Sequence, residues 1–327
     1  TECSGCYSPV TAVHLNYIVD GMLSMPGGIP GIFNIFEYGE GLKFDEDLMM
    51  AYLEGEEIPV EQLKELDIHV SYISIVFGTE SYREFVDMTP EQFLERCANY
   101  SGLPTTSQPS PGQTIELYES LLEQGYEDII HINISSQLSG SHQNALNCAE
   151  MVNPEHIHVF DSRTVAYSQG MLAVYAAKKA QEGASVQEIL EYLEMMRDNN
   201  ELYAAINDLT NLRKGGRLSN VEAALGSLLQ IKPVCKIQPD GTLQAIEKIR
   251  TFKKSLKRLI EIAKEANLSD DYQIVVMHIG NEEGAKTLQT ELKAFYPNHE
   301  INIYPISLVV AVHGGPGAVA MGWVKHK

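Results

Sequence analysis

Four short segments carry the side chains best suited to hold or attack a polar group. Residues 103–110 (LPTTSQPS) offer Thr105, Thr106, Ser107 and Ser110 just ahead of a helix start. Hydroxyls and free backbone N–H groups at the positive end of a helix suit an anion such as a carboxylate. Simple N-capping by Ser110 is the plainer use of the same residues. Residues 134–142 (ISSQLSGSH) place Ser135, Ser136, Ser139, Gly140 and Ser141 directly after an apolar stretch that reads as a buried strand. A parallel sheet binds ligands beyond the carboxyl ends of its strands, so this loop is placed for binding as well as for turning the chain. Residues 312–317 (VHGGPG) set His313 before Gly314, Gly315, Pro316 and Gly317. That pattern reads as a rigid turn where backbone can approach a ligand closely. Imidazole donates to a carboxylate whether neutral or protonated, and more strongly when protonated. Residues 212–218 (LRKGGRL), with Lys248 and Arg250 and the basic run 252–258 further on, supply cations. Arg217, after two glycines, is placed for outward bidentate contacts.

Several enzyme signatures are absent. The chain holds no G-x-S-x-G elbow, no phosphate loop of the G-x-x-x-x-G-K-[ST] type, no H-E-x-x-H and no G-x-G-x-x-G. Serines and histidines are plentiful, so a Ser–His hydrolase or acyl-transfer enzyme built from the 135–141 loop and His313 stays open as an alternative. The five cysteines, Cys3, Cys6, Cys97, Cys148 and Cys235, are odd in number and scattered. That argues for a reducing compartment and against a disulfide framework. Cys3 and Cys6 form a lone C-x-x-C without further ligands, which reads as an inert N-terminus; no metal is expected.

The formal net charge of -20 disfavours nucleic acid and anionic membranes as partners. The charge is uneven: residues 212–258 hold eleven Lys or Arg against Glu222, Asp240 and Glu247. Such a stretch suits docking of an acidic or phosphate-bearing partner, or is a set of scattered solvated faces. The apolar stretch 13–36 is broken by Asp20, Pro26, Gly27, Gly28 and Pro30, so no membrane span is expected. Nothing before it resembles a signal peptide.

The elements that must position these groups alternate in the first half. Residues 68–78 are β-rich. Thr89 and Pro90 open a helix to about Tyr100, and Ser110 and Pro111 open another to Gly125. Strands at 128–135 and 156–161 flank a helix at 141–152. This order predicts a parallel sheet covered by helices. In the second half a capping box at Ser185 and Glu188 opens a helix. Strands are predicted at 203–207 and 234–248, with a turn at Pro239, Asp240 and Gly241, then at 273–280 and 301–306, the last strand. Helices are predicted at 252–266 and 282–295. The fold class is therefore an α/β domain built on a parallel sheet over 1–163 and an α+β domain over 164–327. Residues 1–57 stand as an atypical extension, in which the Gly/Pro-rich segment 27–31 is loop and 45–53 a short helix or strand. The apolar stretch 223–231 (AALGSLLQI) lines a tunnel or is ordinary core.

Taken together and in order, FGTESYREFVDMTPEQF, LPTTSQPSPG, INISSQLSGSHQNA, HVFDSRTVAYSQG, LRKGGRLSN, LLQIKPV and VHGGPGA resemble the DegV family, over about residues 57–323. The resemblance implies a Rossmann-like α/β domain and a smaller α+β domain, with a fatty acid bound between them and its tail buried. It implies that Thr106, Ser139 or Ser136, and His313 hold the carboxylate. Ser107, Gly140 and Gly314 join them as candidate ligand-binding residues. It further implies a cytoplasmic protein with no cofactor besides its bound lipid, which catalyses nothing alone and serves a fatty acid kinase. Arg217 and Arg250 match the residues that help docking. A regulatory binding protein for another acidic small molecule shares the same head-group site. Two departures stand out: the strand ending in T-D-S that opens family members is missing before Ile58, and Gly314 stands where Thr is common.

Overall fold

The computed structural model describes residues 12–15 (backbone only), 66–83, 87–88, 90–217 and 231–327. Cys3, Cys6, the 27–31 and 45–53 segments, Thr89 and most of the 223–231 stretch lie outside the described residues. The first elements are β1 (Ala12–Leu15), β2 (Ile68–Val70), β3 (Ser74–Phe77), β4 (Glu80–Arg83), α1 (Pro90–Asn99) and β5 (Thr105–Ser107). Then come α2 (Pro111–Glu123), β6 (Ile129–Asn133), α3 (Ser141–Val152), β7 (Ile157–Asp161), α4 (Tyr167–Gln181), α5 (Val186–Asp198), β8 (Asn200–Ala205) and α6 (Thr210–Lys214). The chain closes with β9 (Val234–Ile237), β10 (Leu243–Glu247), α7 (Phe252–Ala266), β11 (Tyr272–His278), α8 (Glu282–Phe295), β12 (Ile301–Pro305), α9 (Leu308–Gly314) and β13 (Val319–Lys325).

The first sheet is parallel throughout, in the order β2-β1-β6-β7. Every residue of β6 is buried, as its apolar run requires when both faces are covered. Its two polar residues are paired: the His131 ring meets Tyr118 Oη at 2.5 Å and Asn133 Nδ2 at 3.3 Å. Residues 12–15, which the sequence leaves in the extension, form the strand between β2 and β6. Helix starts follow local chemistry. Ser110 Oγ accepts from Gln113 N at 3.3 Å while Gln113 Oε1 accepts from Ser110 N at 3.0 Å. Ser185 and Glu188 repeat this reciprocal cap on α5.

The second sheet has six strands in the order β10-β9-β8-β13-β11-β12, with only β11 and β12 parallel. Helices α7 and α8 cover one face through Leu259, Ile262, Leu288 and Leu292. Helix α4 packs against both sheets, touching β1, β2 and β6 on one side and β8 and β13 on the other. A single apolar cluster consequently runs from Ile132 through Leu172 and Ala176 to Val275 and Val324.

Three expectations need correction. Residues 301–306 do not hold the last strand: β13 follows and lies inside the sheet, buried from Val319 to Val324. Thr106 is not in a loop. It sits in β5, opposite Ile75 in a three-stranded antiparallel sheet of order β4-β3-β5. His313 is not in the turn but in the last turn of α9, which Ser307 caps by accepting from Val310 N at 3.2 Å.

Candidate functional site

Helix α9 lies against β3 and β5, and this contact joins residues 207 positions apart. Thr106 Oγ1 and His313 Nε2 are 2.8 Å apart. The other side of the ring faces α6: a Cβ added at Gly215 would lie 2.5 Å from His313 Nδ1, so only glycine lets the imidazole seat there. Asn211 Nδ2 donates to Val312 O at 2.9 Å and ties α6 to α9. Burial first, and the nearby Arg217 guanidinium second, push the His313 ring down to about 4, so it is neutral at pH 7. Its Nδ1 is buried and has no hydrogen-bond partner among the described residues. With no acceptor there, the proton belongs on Nε2, donating to Thr106 Oγ1. The Thr106 hydroxyl hydrogen is then free to donate into the adjoining space.

The 134–140 loop supplies Ser139. Its backbone N and that of Leu138 donate to Ser135 O at 3.1 and 2.9 Å. Ser139 Oγ pairs with Ser141 Oγ at 2.8 Å and accepts from Ser141 N at 3.2 Å. Arg217 reaches the same loop from the other side, donating through Nε to Leu138 O at 3.1 Å and through Nη1 to Gly215 O at 2.7 Å. It is half-buried, folded back instead of projecting outward, and no carboxylate among the described residues pairs with it.

These groups share the lining of one cavity, about 930 Å³ of empty space with open solvent included. The walls are apolar and come mainly from the six-stranded sheet and α9, with Leu202, Ile237, Leu243, Met277 and Val309 among them and Ile134, just past β6, added. Thr106, Ser139, Arg217, His313 and Gly314 line it; Ser107, Ser136, Gly140 and Arg250 do not. Each exception has a local reason. Ser107 is exposed and donates to Gln108 O at 3.3 Å. Ser136 is committed to Asp161, its Oγ donating to Oδ2 at 2.6 Å and its N to Oδ1 at 3.1 Å. Gly140 is backed by Gln108, whose Oε1 lies 2.3 Å from where a Cβ would be. Arg250 is exposed on the basic segment leading into α7. A Ser–His–acid relay is not assembled among the described residues: Ser139 bonds Ser141, and no carboxylate orients the imidazole. No group of His, Cys, Asp or Glu among them is arranged to hold a metal ion. No helix among them is long and apolar enough to cross a membrane.

The sequence offers Ser135 only as one of several loop hydroxyls, without its role of organising the loop, and gives no role to Gly215, which seats the imidazole. The G-G-R signal was visible, but its glycines gain meaning only from the ring packed on them.

Fold and site define a two-domain α/β protein in which an apolar chamber, walled mainly by the six-stranded sheet and α9, carries hydroxyls and a neutral imidazole in its lining. The chain belongs to the DegV family, whose model, described as an uncharacterised protein of the DegV family, matches residues 56–326. Protein DegV of Bacillus subtilis is 35% identical over 268 residues, 81% of this chain and 95% of that protein. A DegV domain-containing protein of Halalkalibacterium halodurans is 34% identical over 268 residues, 82% of this chain and 94% of that one. Among solved structures, a fatty acid binding DegV family protein from Streptococcus agalactiae superposes with TM-score 0.77 at 28% identity, covering 97% of this chain and 99% of its own. DegV, a fatty acid binding protein from Bacillus subtilis, superposes with TM-score 0.76 at 29% identity and the same coverage.

Proposed function

We propose that this protein is a cytoplasmic carrier that binds one long-chain fatty acid and presents it to a separate fatty acid kinase, catalysing no reaction alone. The observation that carries the reading is the Thr106–His313 pair, 2.8 Å apart, in the lining of an otherwise largely apolar cavity. The tail lies among the apolar walls, and the carboxylate meets Thr106, Ser139 and His313. Two relatives of the same fold are fatty-acid-binding proteins, which supports the assignment.

The energetics fit. Each buried CH₂ contributes about 0.8 kcal/mol, so a sixteen-carbon tail offers roughly 10 kcal/mol gross, enough for tight binding after association costs. The head group then needs donors that leave no buried charge unpaired. Thr106 and Ser139 supply hydroxyls, and the half-buried Arg217 adds positive potential from the loop side.

Exposed cations lie on or just after two elements that supply lining residues, Leu212 of α6 and Leu243 of β10. Arg213 and Lys214 on α6 and Lys248, Arg250, Lys253 and Lys254 before and within α7 are all exposed. Lys232, donating to Ile249 O at 2.6 Å and through Nζ to Asn207 O, ties the second group to the segment that leads into α6. On a chain with net charge -20, such exposed basic groups support docking of an acidic or phosphate-bearing partner.

Organic extraction of the purified protein followed by mass spectrometry tests the carrier reading. A stoichiometric long-chain fatty acid is expected. Recovery of none, together with no binding of added hexadecanoic or octadecenoic acid, overturns it.

A further inference from the structure

Hairpin β9–β10 turns at Pro239, Asp240 and Gly241, and its tip is seated on the first domain. Ser135, fully buried, donates from Oγ to Gly241 O at 2.8 Å. Gly241 is itself buried at φ +87°, and a Cβ there would lie 2.3 Å from Ser135 Oγ and 3.2 Å from Arg163 Cα. The tip is internally braced: Thr242 donates to Asp240 Oδ1 from N at 2.9 Å and from Oγ1 at 2.7 Å, and Gly241 N donates to Gln238 O at 2.8 Å.

Ser135 is also the pivot of the loop that carries Ser139. Its carbonyl accepts from Leu138 N and Ser139 N, and its Oγ accepts from Gln137 N at 3.2 Å. The ladder pair nearest the tip, Ile237 opposite Leu243, lines the cavity. One stiff hairpin therefore touches the space for the tail with its side chains and the head-group loop with its tip.

We propose that the Ser135–Gly241 contact is a latch that couples tail occupancy to the head-group loop, so that the site favours ligands carrying a long tail and a carboxylate together. The proposal rests on the fatty-acid reading above and adds two positioning residues to it. A tail that packs on Ile237 and Leu243 holds the hairpin down. The seated tip keeps Gly241 O on Ser135, and Ser135 fixes Leu138 and Ser139. By linkage the effect runs both ways, so a bound carboxylate also steadies the tail end.

Dissociation constants of hexadecanoic acid, hexadecanol, octanoic acid and octanol with the wild-type protein and Ser135→Ala read this coupling. In the wild type the preference for acid over alcohol should be larger with the long tail. Ser135→Ala should cut the long-tail preference about tenfold, the weight of one lost hydrogen bond to the loop, and make it equal for both tails. Amide hydrogen exchange gives a second readout that needs no variant: in the wild type, hexadecanol alone should slow Leu138 and Ser139, and octanol should not. A wild-type preference independent of tail length, or a Ser135→Ala protein that keeps the full preference, overturns the latch. Failure of the wild type to bind either long-chain ligand refutes the fatty-acid reading itself, so the two failures are distinguishable.

Discussion

At the scale of residues, the site works through neutral donors placed by packing. Thr106→Val keeps the shape and removes the hydroxyl. We expect fatty acid affinity to fall about tenfold, near 1.5 kcal/mol for a hydrogen bond to a charged group, and the melting temperature to fall as well, because the buried His313 Nε2 loses its acceptor. Isothermal titration beside a thermal melt checks both. Arg217→Ala removes the donor to Leu138 O and the cation beside His313. It should therefore weaken lipid binding, in contrast to a residue that serves only an outside partner. His313 supplies a pH signature. Its folded value, about 4, lies below the ordinary histidine value of about 6.5. The unfolded chain takes up the proton first, so this group's stabilisation is full above about 6.5 and is lost as pH falls through about 4. A bound carboxylate opposes that depression. The rise in melting temperature on adding fatty acid should thus grow between pH 7 and pH 5 in the wild type and stay flat in His313→Asn. An equal rise at both pH values in the wild type counts against a carboxylate beside this ring.

At the scale of elements, legibility in the sequence follows how local the cause is. The caps at Ser110 and Ser185 were readable because each is a four-residue hydrogen-bond exchange. Helices α7 and α8 were readable to the residue because each has one apolar stripe. Helix α4 gave no stripe: it is buried on most sides, with Ala173, Ala176 and Ala177 packed between two sheets. Strand β13 gave no alternation, since both its faces are covered. Strand β5 has three residues, and its pairing partner β3 lies some thirty positions earlier, so Thr106 read as loop. The motifs named Thr106 and His313, but only the α9 contact with β5 shows that they meet. Close approach at α4 is testable. A Cβ on Gly322 would lie 2.9 Å from Ser168 Oγ and 3.1 Å from Glu201 O. Gly322→Ala should cost about 1 to 3 kcal/mol of stability through displacement of α4, seen as a lower denaturant midpoint. An unchanged midpoint would show that helix and sheet separate there without strain.

At the scale of the whole molecule, an acidic chain carries an exposed basic rim on α6 and around the start of α7. Arg250 is exposed and lies outside the cavity lining. Arg250→Ala should leave the fatty acid dissociation constant unchanged and lower kinase turnover with the protein as substrate carrier. Rising ionic strength should lower wild-type turnover in the same sense, since exposed charges are screened over about 10 Å at 0.1 M salt. Loss of lipid binding in Arg250→Ala would remove the distinction between rim and site.

Because α4 draws its burial from both sheets, the two halves cannot have separate lives. A gene cut after residue 163 would leave β6 with one bare face and send out a second fragment whose first helix keeps β8 and β13 on one side and has its other side bare. Neither piece should be recoverable in native form, even when both are made in the same cell at low level. Recombination that swaps one half between distant relatives should fail for the same reason. The unit on which selection acts here is the undivided chain.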